Sequence, residues 1–157
     1  MNDEEAARLR ESNELVRPFN EQVISEFRAS KGIVGGHFAP VRLLLLHHVG
    51  RRSGKEYVLP LLYLRDGDSF ILAGSNGGAE REPAWVSNLE GMSETTIEVG
   101  EEILTVRPES IREPTSERER LYARLVDYWP DFLKYGKNTD RQFPLIRLHP
   151  IGQPAPR

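Results

Sequence analysis

Four consecutive leucines followed by two histidines form the core of VRLLLLHHV, residues 41–49, and no longer apolar run occurs in the chain. A continuous run of this length predicts a buried strand and is far too short to span a bilayer. KEYVLPLLYL (55–64) predicts a second strand, in which Pro60 has no N–H for a ladder and so requires an edge position or a bulge. RDGD then predicts a hairpin turn into a third strand, SFILAG. TTIEV and ILTVRP alternate across GEE and predict a further hairpin, and FPLIRLH predicts a last strand.

Helical patterns lie before, between and after these strands. Phe19, Val23, Ile24 and Phe27 recur on one face behind Pro18, until the glycines of SKGIVGGHFAP break the pattern. PAWVSNLE reads as a short helix opened by Pro83 and closed by Gly91. Ser116 and Glu119 have the spacing of a capping box for a helix that turns Leu121, Leu125 and Val126 inward. Six short strands joined mostly by hairpins, with helices outside, predict an α+β fold built on a small antiparallel barrel. The expected organisation is an N-terminal arm (1–17), one barrel domain (18–149) and a free, proline-rich C-terminal tail (150–157).

Composition narrows the class. A chain of 157 residues suits one core, and 38% hydrophobic with 29% charged residues points to a soluble globular protein. Without a cysteine, disulfides, thiolate-bound zinc and a thiol nucleophile are excluded. The charged opening MNDEEAARLRESNE has neither a signal-peptide core nor a transit pattern, which favours the cytoplasm. A net charge of −3 argues against a nucleic-acid binder.

The distribution of charge is more informative than its sum. From Phe27 to Lys55 there is no Asp or Glu, while Arg28, Lys31, Arg42, Arg51, Arg52 and Lys55 are all basic. Such a segment on an acidic protein suits one anionic ligand. The alternative is that the fold supplies carboxylates to pair with these cations.

HHVGRRSGKEY (47–57) looks like a nucleotide-binding P-loop but differs from one. Only three residues separate Gly50 from Gly54, Glu56 replaces the hydroxyl residue, and a strand follows instead of a helix. What remains is a strand-to-strand turn with exposed backbone N–H groups, where Arg51, Arg52 and Lys55 can meet a phosphate or carboxylate. His47 and His48, adjacent on a strand, point to opposite faces and do not form a metal pair. A second candidate, AGSNGGAEREPAW, is a glycine loop running into a helix, suited to a planar heterocycle that bonds to backbone.

Taken together, VISEFRASKGIVGG, LLLLHHVGRRSGKEYVLPLLYL, GDSFILAGSNGGAEREPAWVSNL, TTIEVG and YWPDFLKYGKNTDRQFPLIRL resemble the deazaflavin-dependent nitroreductase and F420H2-dependent quinone reductase family, in register over roughly residues 20 to 149. The resemblance implies a split β-barrel and the deazaflavin coenzyme F420. It further implies hydride transfer to a quinone, nitroaromatic or similar electron-poor acceptor. The coenzyme's phosphate and polyglutamate tail is a long polyanion, which would suit the basic turn. A quinone acceptor would make peripheral contact with the inner face of the cell membrane an expectation too.

By this resemblance Arg51, Arg52, Ser53 and Lys55 fall on the phosphate-contacting turn, and Tyr57, Val58, Leu59, Pro60, Leu61 and Leu62 on the strand lining the coenzyme. Ala73, Gly74, Ser75 and Asn76 fall on the loop beside the deazaflavin ring. Ala84, Trp85, Val86, Ser87 and Asn88 fall on the short helix over it, and Phe132 and Tyr135 on the acceptor side. Ser75 and Tyr135 are the candidate hydrogen-bond donors to the acceptor. Four positions differ from the common pattern: Tyr57 replaces an arginine, Asn76 a lysine, Val86 a tyrosine or histidine, and Phe132 a tyrosine. The alternatives are an FMN-dependent enzyme of the related barrel kind and a non-catalytic carrier of a flavin or deazaflavin.

Overall fold

In the computed structural model, residues 20–35, 42–75, 82–132 and 142–156 are described. Seven strands run β1 Leu43–Val49, β2 Glu56–Leu62, β3 Leu64–Asp66, β4 Ser69–Ala73, β5 Thr95–Val99, β6 Glu102–Ile111 and β7 Leu145–Pro156. Among the described residues, helices α1 over 20–29, α2 Ala84–Glu90 and α3 Ser116–Tyr128 accompany them, and residues 131–132 are helical too.

The strand order is β2-β1-β5-β6-β7-β4-β3, and every pair is antiparallel. β2 and β3 are one run of chain bent at Tyr63. Its first half pairs with β1 at one end of the order and its second half with β4 at the other. A single kinked strand thus bridges both edges and curls the sheet into the expected split barrel. The one strand read at 55–64 is therefore two, and counted as one bent strand the barrel has six. Pro60 stands opposite Leu45 on β2, which pairs only with β1 among the described residues, so its missing N–H interrupts no second ladder there.

Because side chains alternate along a strand, β1 feeds two cores. Leu43 and Leu45 pack with Val23 and Phe27 of α1 and Leu121 and Leu125 of α3, outside the sheet. Leu44 and Leu46 pack with Phe70, Leu72, Ile97 and Ile146 and with Trp85, Val86 and Leu89 of α2, inside it. Burying each such side chain stabilises the fold by about 1.5–3 kcal/mol, which explains why this one strand is apolar on both faces. Ile71 is fully buried, while Leu61 and Val99 pack against the inner core without being enclosed.

Two expectations about chain ends are revised. The cap of α3 is Thr115, whose hydroxyl accepts from the Arg118 N–H, so the cap lies one residue before the expected Ser116 box. The closing residues, expected to hang free from 150, continue β7 to Pro156 and pair with β6 as far as Glu102. The long edge of β6 gives them a ladder, and Gly152 at φ 73° lies where the register shifts.

Candidate functional site

The 50–55 turn is closed mostly by its own backbone. The Gly50 N–H donates to Lys55 O at 2.8 Å, and the Gly54 N–H donates to Gly50 O at 2.9 Å. The Lys55 N–H donates to the Ser53 hydroxyl at 3.2 Å. Gly54 takes φ 72°, and a side chain on Gly50 would collide with that same hydroxyl. The Arg51 N–H donates outward, to Asn88 Oδ1 on α2 at 3.1 Å. The expected row of exposed N–H groups is therefore largely used inside the protein. Within the turn, those of Arg52 and Ser53 remain without a partner among the described residues.

The charged side chains of the turn face solvent. Arg51, Arg52, Ser53 and Lys55 are all exposed, and none of the three cations has an ion pair among the described residues. Arg51 does lie near enough to help hold the Glu90 carboxyl down, behind the larger effects of Arg112 and Ser110. Its side chain also lies against Gly91, where an added Cβ would come 2.9 Å from Nε.

Several other basic residues are paired. Arg28 is paired with Glu98, Arg112 with Glu82 and Glu90, and Arg120, Arg124 and Arg147 with Asp66. Lys31 lies 3.6 Å from Glu101. The fold thus supplies carboxylates to Arg28 and Lys31 at the start of the acid-free stretch, while among the described residues Arg42 and the three cations of the turn have none.

The turn and α2 meet through a buried chain of contacts. Asn88, 7% exposed, accepts from Arg51 through Oδ1 and sits 3.0 Å from His48 Nδ1 through Nδ2. His48 is 7% exposed and stacks on the half-exposed ring of Tyr57, opposite it in the ladder, with centroids 5.2 Å apart. Burial, followed by the neighbouring His47, lowers the His48 pKa to about 4. The two histidines do point to opposite faces: His47 Nε2 lies 2.8 Å from Glu98 Oε2 on the other side of β1.

Around the second loop, Gly74 is where three segments touch. Its N–H donates to Pro144 O at 2.8 Å, and an added Cβ would lie 2.8 Å from both Pro144 Cγ and Val86 Cγ2. Beside it Ser75 is buried, and Ala73 is partly buried and packs against the outer core. On α2, Trp85, Val86 and Asn88 are buried, whereas Ala84 and Ser87 face out. Along β2, Tyr57 is exposed and Val58, Leu59, Pro60, Leu61 and Leu62 are half-buried. Phe132 belongs to the outer core at 3% exposed. Asn76 and Tyr135 lie outside the described residues.

A cavity of about 320 Å³ opens where β1 and β5 separate, beyond their two paired positions. His47, His48, Val49, Tyr57, Met92 and Thr95 line it together with Glu56 and Glu94. Those carboxylates disfavour a polyanion there, and Tyr57 is the one expected site residue on its wall. Among the described residues no cluster of His, Cys, Asp and Glu could hold a metal, and no helix is long and apolar enough to cross a membrane.

Two features of this region escaped the sequence reading: the Asn88 link between His48 and Arg51, and the pairing of Glu98 with both Arg28 and His47. Both join residues at least 37 positions apart. The one local signal was a polar residue at an otherwise apolar strand or helix position, as at Glu98 in TTIEV and Asn88 in AWVSNLE.

Comparison with known proteins gives a consistent picture. Residues 19–150 match the family model described as F420H(2)-dependent quinone reductase. A Mycobacterium tuberculosis protein provisionally named as such a reductase is 38% identical over 115 residues, covering 73% of this chain and 95% of that one. A second protein of that organism, named F420H(2)-dependent quinone reductase, is 28% identical over 125 residues, covering 78% and 83%. Among solved structures, an F420-H2 dependent reductase superposes with a TM-score of 0.61 at 23% identity, covering 68% of this chain and 93% of that one. A heme storage protein from Vibrio cholerae reaches 0.57 at 14%, covering 85% and 91%. At these identities the structural likenesses speak to the barrel alone.

Proposed function

The chain belongs to the F420H(2)-dependent quinone reductase family, and from that membership we propose that it binds reduced F420 and reduces quinones, nitroaromatics and similar electron-poor acceptors. The observation that carries the coenzyme assignment is the set of three exposed cations on one turn that have no ion pair among the described residues, whereas Arg28, Arg112, Arg120, Arg124 and Arg147 are each paired with a carboxylate. Guanidinium and ammonium groups without a carboxylate partner among the described residues suit a phosphate and a chain of carboxylates, and the N–H groups of Arg52 and Ser53, likewise without a partner there, add donors.

The chemistry of the exposed turn and of the half-buried strand beside it supports this reading. Arg51, Arg52, Ser53 and Lys55 would hold the phosphate and tail. Tyr57 to Leu62 would line one wall, the half-buried apolar strand suiting a flat ring system. Ala73, Gly74, Ser75 and Asn76 would offer backbone at the ring edge, with Ala84, Trp85, Val86 and Ser87 on the helix beside it and Phe132 toward the acceptor. Reduced F420, when bound, supplies the hydride.

The protein's own work is orientation, exclusion of water, and placing donors where negative charge develops on the acceptor. Ser75 and Tyr135 are assigned that last role. Asn88 has both ends of its amide engaged within the protein, and its part is indirect.

Fluorescence titration with F420 and with FMN at two ionic strengths tests this reading, followed by assay of menadione reduction with reduced F420. Tighter binding of F420 than FMN, weakening as salt rises, is expected, together with steady turnover. Tighter FMN binding, or F420 binding without turnover, would overturn it in favour of a flavin enzyme or a carrier.

A further inference from the structure

Two hydrogen bonds decide which way round the Asn88 amide sits. The Arg51 backbone N–H can only donate, so the group 3.1 Å from it is the Asn88 oxygen. The amide nitrogen therefore faces His48 and donates to Nδ1 at 3.0 Å. A ring nitrogen that accepts carries no hydrogen, so neutral His48 holds its hydrogen on Nε2. With its pKa lowered to about 4, chiefly by burial, the ring keeps that form at neutral pH. Stacking on Tyr57, 21° from parallel, fixes the plane of the ring as well.

The turn's internal bonds set its shape but leave its attitude to the barrel open. Gly50 to Lys55, Gly54 to Gly50 and Lys55 to Ser53 all close within the turn. The Arg51–Asn88 bond is the one hydrogen bond among the described residues that ties the tip of the turn to α2.

We propose that His48 is a positioning residue for anion binding: through Asn88 it fixes the main chain at Arg51, and with it the direction in which Arg51 and Arg52 present their guanidinium groups. The proposal rests on reading this turn as the coenzyme's phosphate site, and adds a residue two strand positions away that touches no ligand. His48 and Asn88 act here as one unit, since the amide has two ends and each partner holds one.

Amide hydrogen exchange and F420 titration on the full chain test this, with the variants H48F, H48N and N88A. H48F keeps a ring against Tyr57 and removes the acceptor, whereas H48N keeps an acceptor near Nδ1 and removes the ring. In the unmodified chain the Arg51 N–H should be protected from exchange, and ¹⁵N spectra should show His48 protonated on Nε2. In H48F and N88A that N–H should exchange roughly tenfold faster, and the F420 Kd should rise about five- to tenfold, the size expected for one lost hydrogen bond. H48N should recover part of both effects. In H48F, affinity for a deazaflavin riboside lacking phosphate and tail should not change, because a general packing defect would weaken both ligands alike.

An unprotected Arg51 N–H in the unmodified chain would overturn the proposal, as would H48F with unmodified protection and affinity, or equal weakening of both ligands. A chain that protects Arg51 but binds F420 no better than the riboside would instead remove the phosphate reading and leave the His48–Arg51 coupling standing.

Discussion

His47 Nε2 and a Glu98 carboxylate oxygen stand 2.8 Å apart, and Arg28 closes on the same carboxylate with bonds of 3.1 and 2.8 Å. One buried acid thereby ties α1 to β1 and β5. Burial alone would raise the Glu98 pKa, but the bonds from Arg28 and His47 outweigh it and hold it at about 2. The carboxylate is therefore ionised, and His47 donates to it.

Removing that acid should be costly. Glu98→Ala leaves two donors facing a gap and is expected to destabilise the fold by about 2–4 kcal/mol, toward the lower end because Arg28 and His47 can turn to water. Glu98→Gln, which keeps the shape and an acceptor, should lose less. Urea melts measure both, and an Ala variant that melts with the parent would show the clasp to be energetically idle.

Acid stability should fall in two stages governed by neighbouring groups on opposite faces of β1. His48 has a folded pKa of about 4 against 6.5 unfolded, so between these values the unfolded chain binds a proton that the folded one refuses. Stability is lost as pH falls across that window and levels below it. Glu98, at about 2 folded against 4.5 unfolded, contributes stability that is complete above 4.5 and lost as pH falls toward 2. Asp66 acts in the same direction, held well below the carboxylate range chiefly by Arg120 and then Arg147. Melts in a pH series should show both stages, and H48N should flatten the upper one. A profile level from pH 6.5 to 4 would contradict the buried neutral imidazole.

How far the sequence could reach is set by range. Periodicity and turn residues act over a few positions, so the strands, the hairpins at Gly67 and Gly100 and the short helix after Pro83 were all readable. The bend at Tyr63 was not, because nothing within KEYVLPLLYL says that its halves join opposite edges of one sheet. The tail misled because its prolines suggest a free chain, whereas β6 offers an edge long enough to pair with it. The basic stretch shows the same limit. That it held six cations was plain, but only the fold divides Arg28, paired with Glu98, from the exposed cations of the turn. Most of the candidate site lies on runs that the family resemblance covers, and the contact joining its two loops, Asn88 with His48 and Arg51, does not show in any one of them.

Gly74 should tolerate no side chain. A methyl group there would meet Pro144 Cγ and Val86 Cγ2 at 2.8 Å, against a rigid ring on one side and a fully buried residue on the other. Gly74→Ala is expected to cost about 1–3 kcal/mol through overpacking and to weaken F420 binding by parting the 73–75 loop from α2. Thermal melts and titration of the same sample would check this. Unchanged stability would mean that Pro144 or Val86 can move aside.

The final prediction separates holding the coenzyme from using it. If Arg52 and Lys55 grip its phosphate and tail, far from the reacting ring, they make the same contacts before and during hydride transfer. Uniform binding of that kind sets the Michaelis constant and leaves turnover alone. Arg52→Ala and Lys55→Ala should each raise the Michaelis constant for reduced F420, by an amount that shrinks as salt rises, with the turnover number nearly constant. Tyr135→Phe removes a donor assigned to the acceptor side, and should lower turnover while sparing coenzyme affinity. Steady-state kinetics with reduced F420 and menadione measure all three. Loss of turnover in Arg52→Ala with affinity intact would move that arginine from the tail to the reaction, and an unaltered Tyr135→Phe would leave the tyrosine as a wall of the pocket.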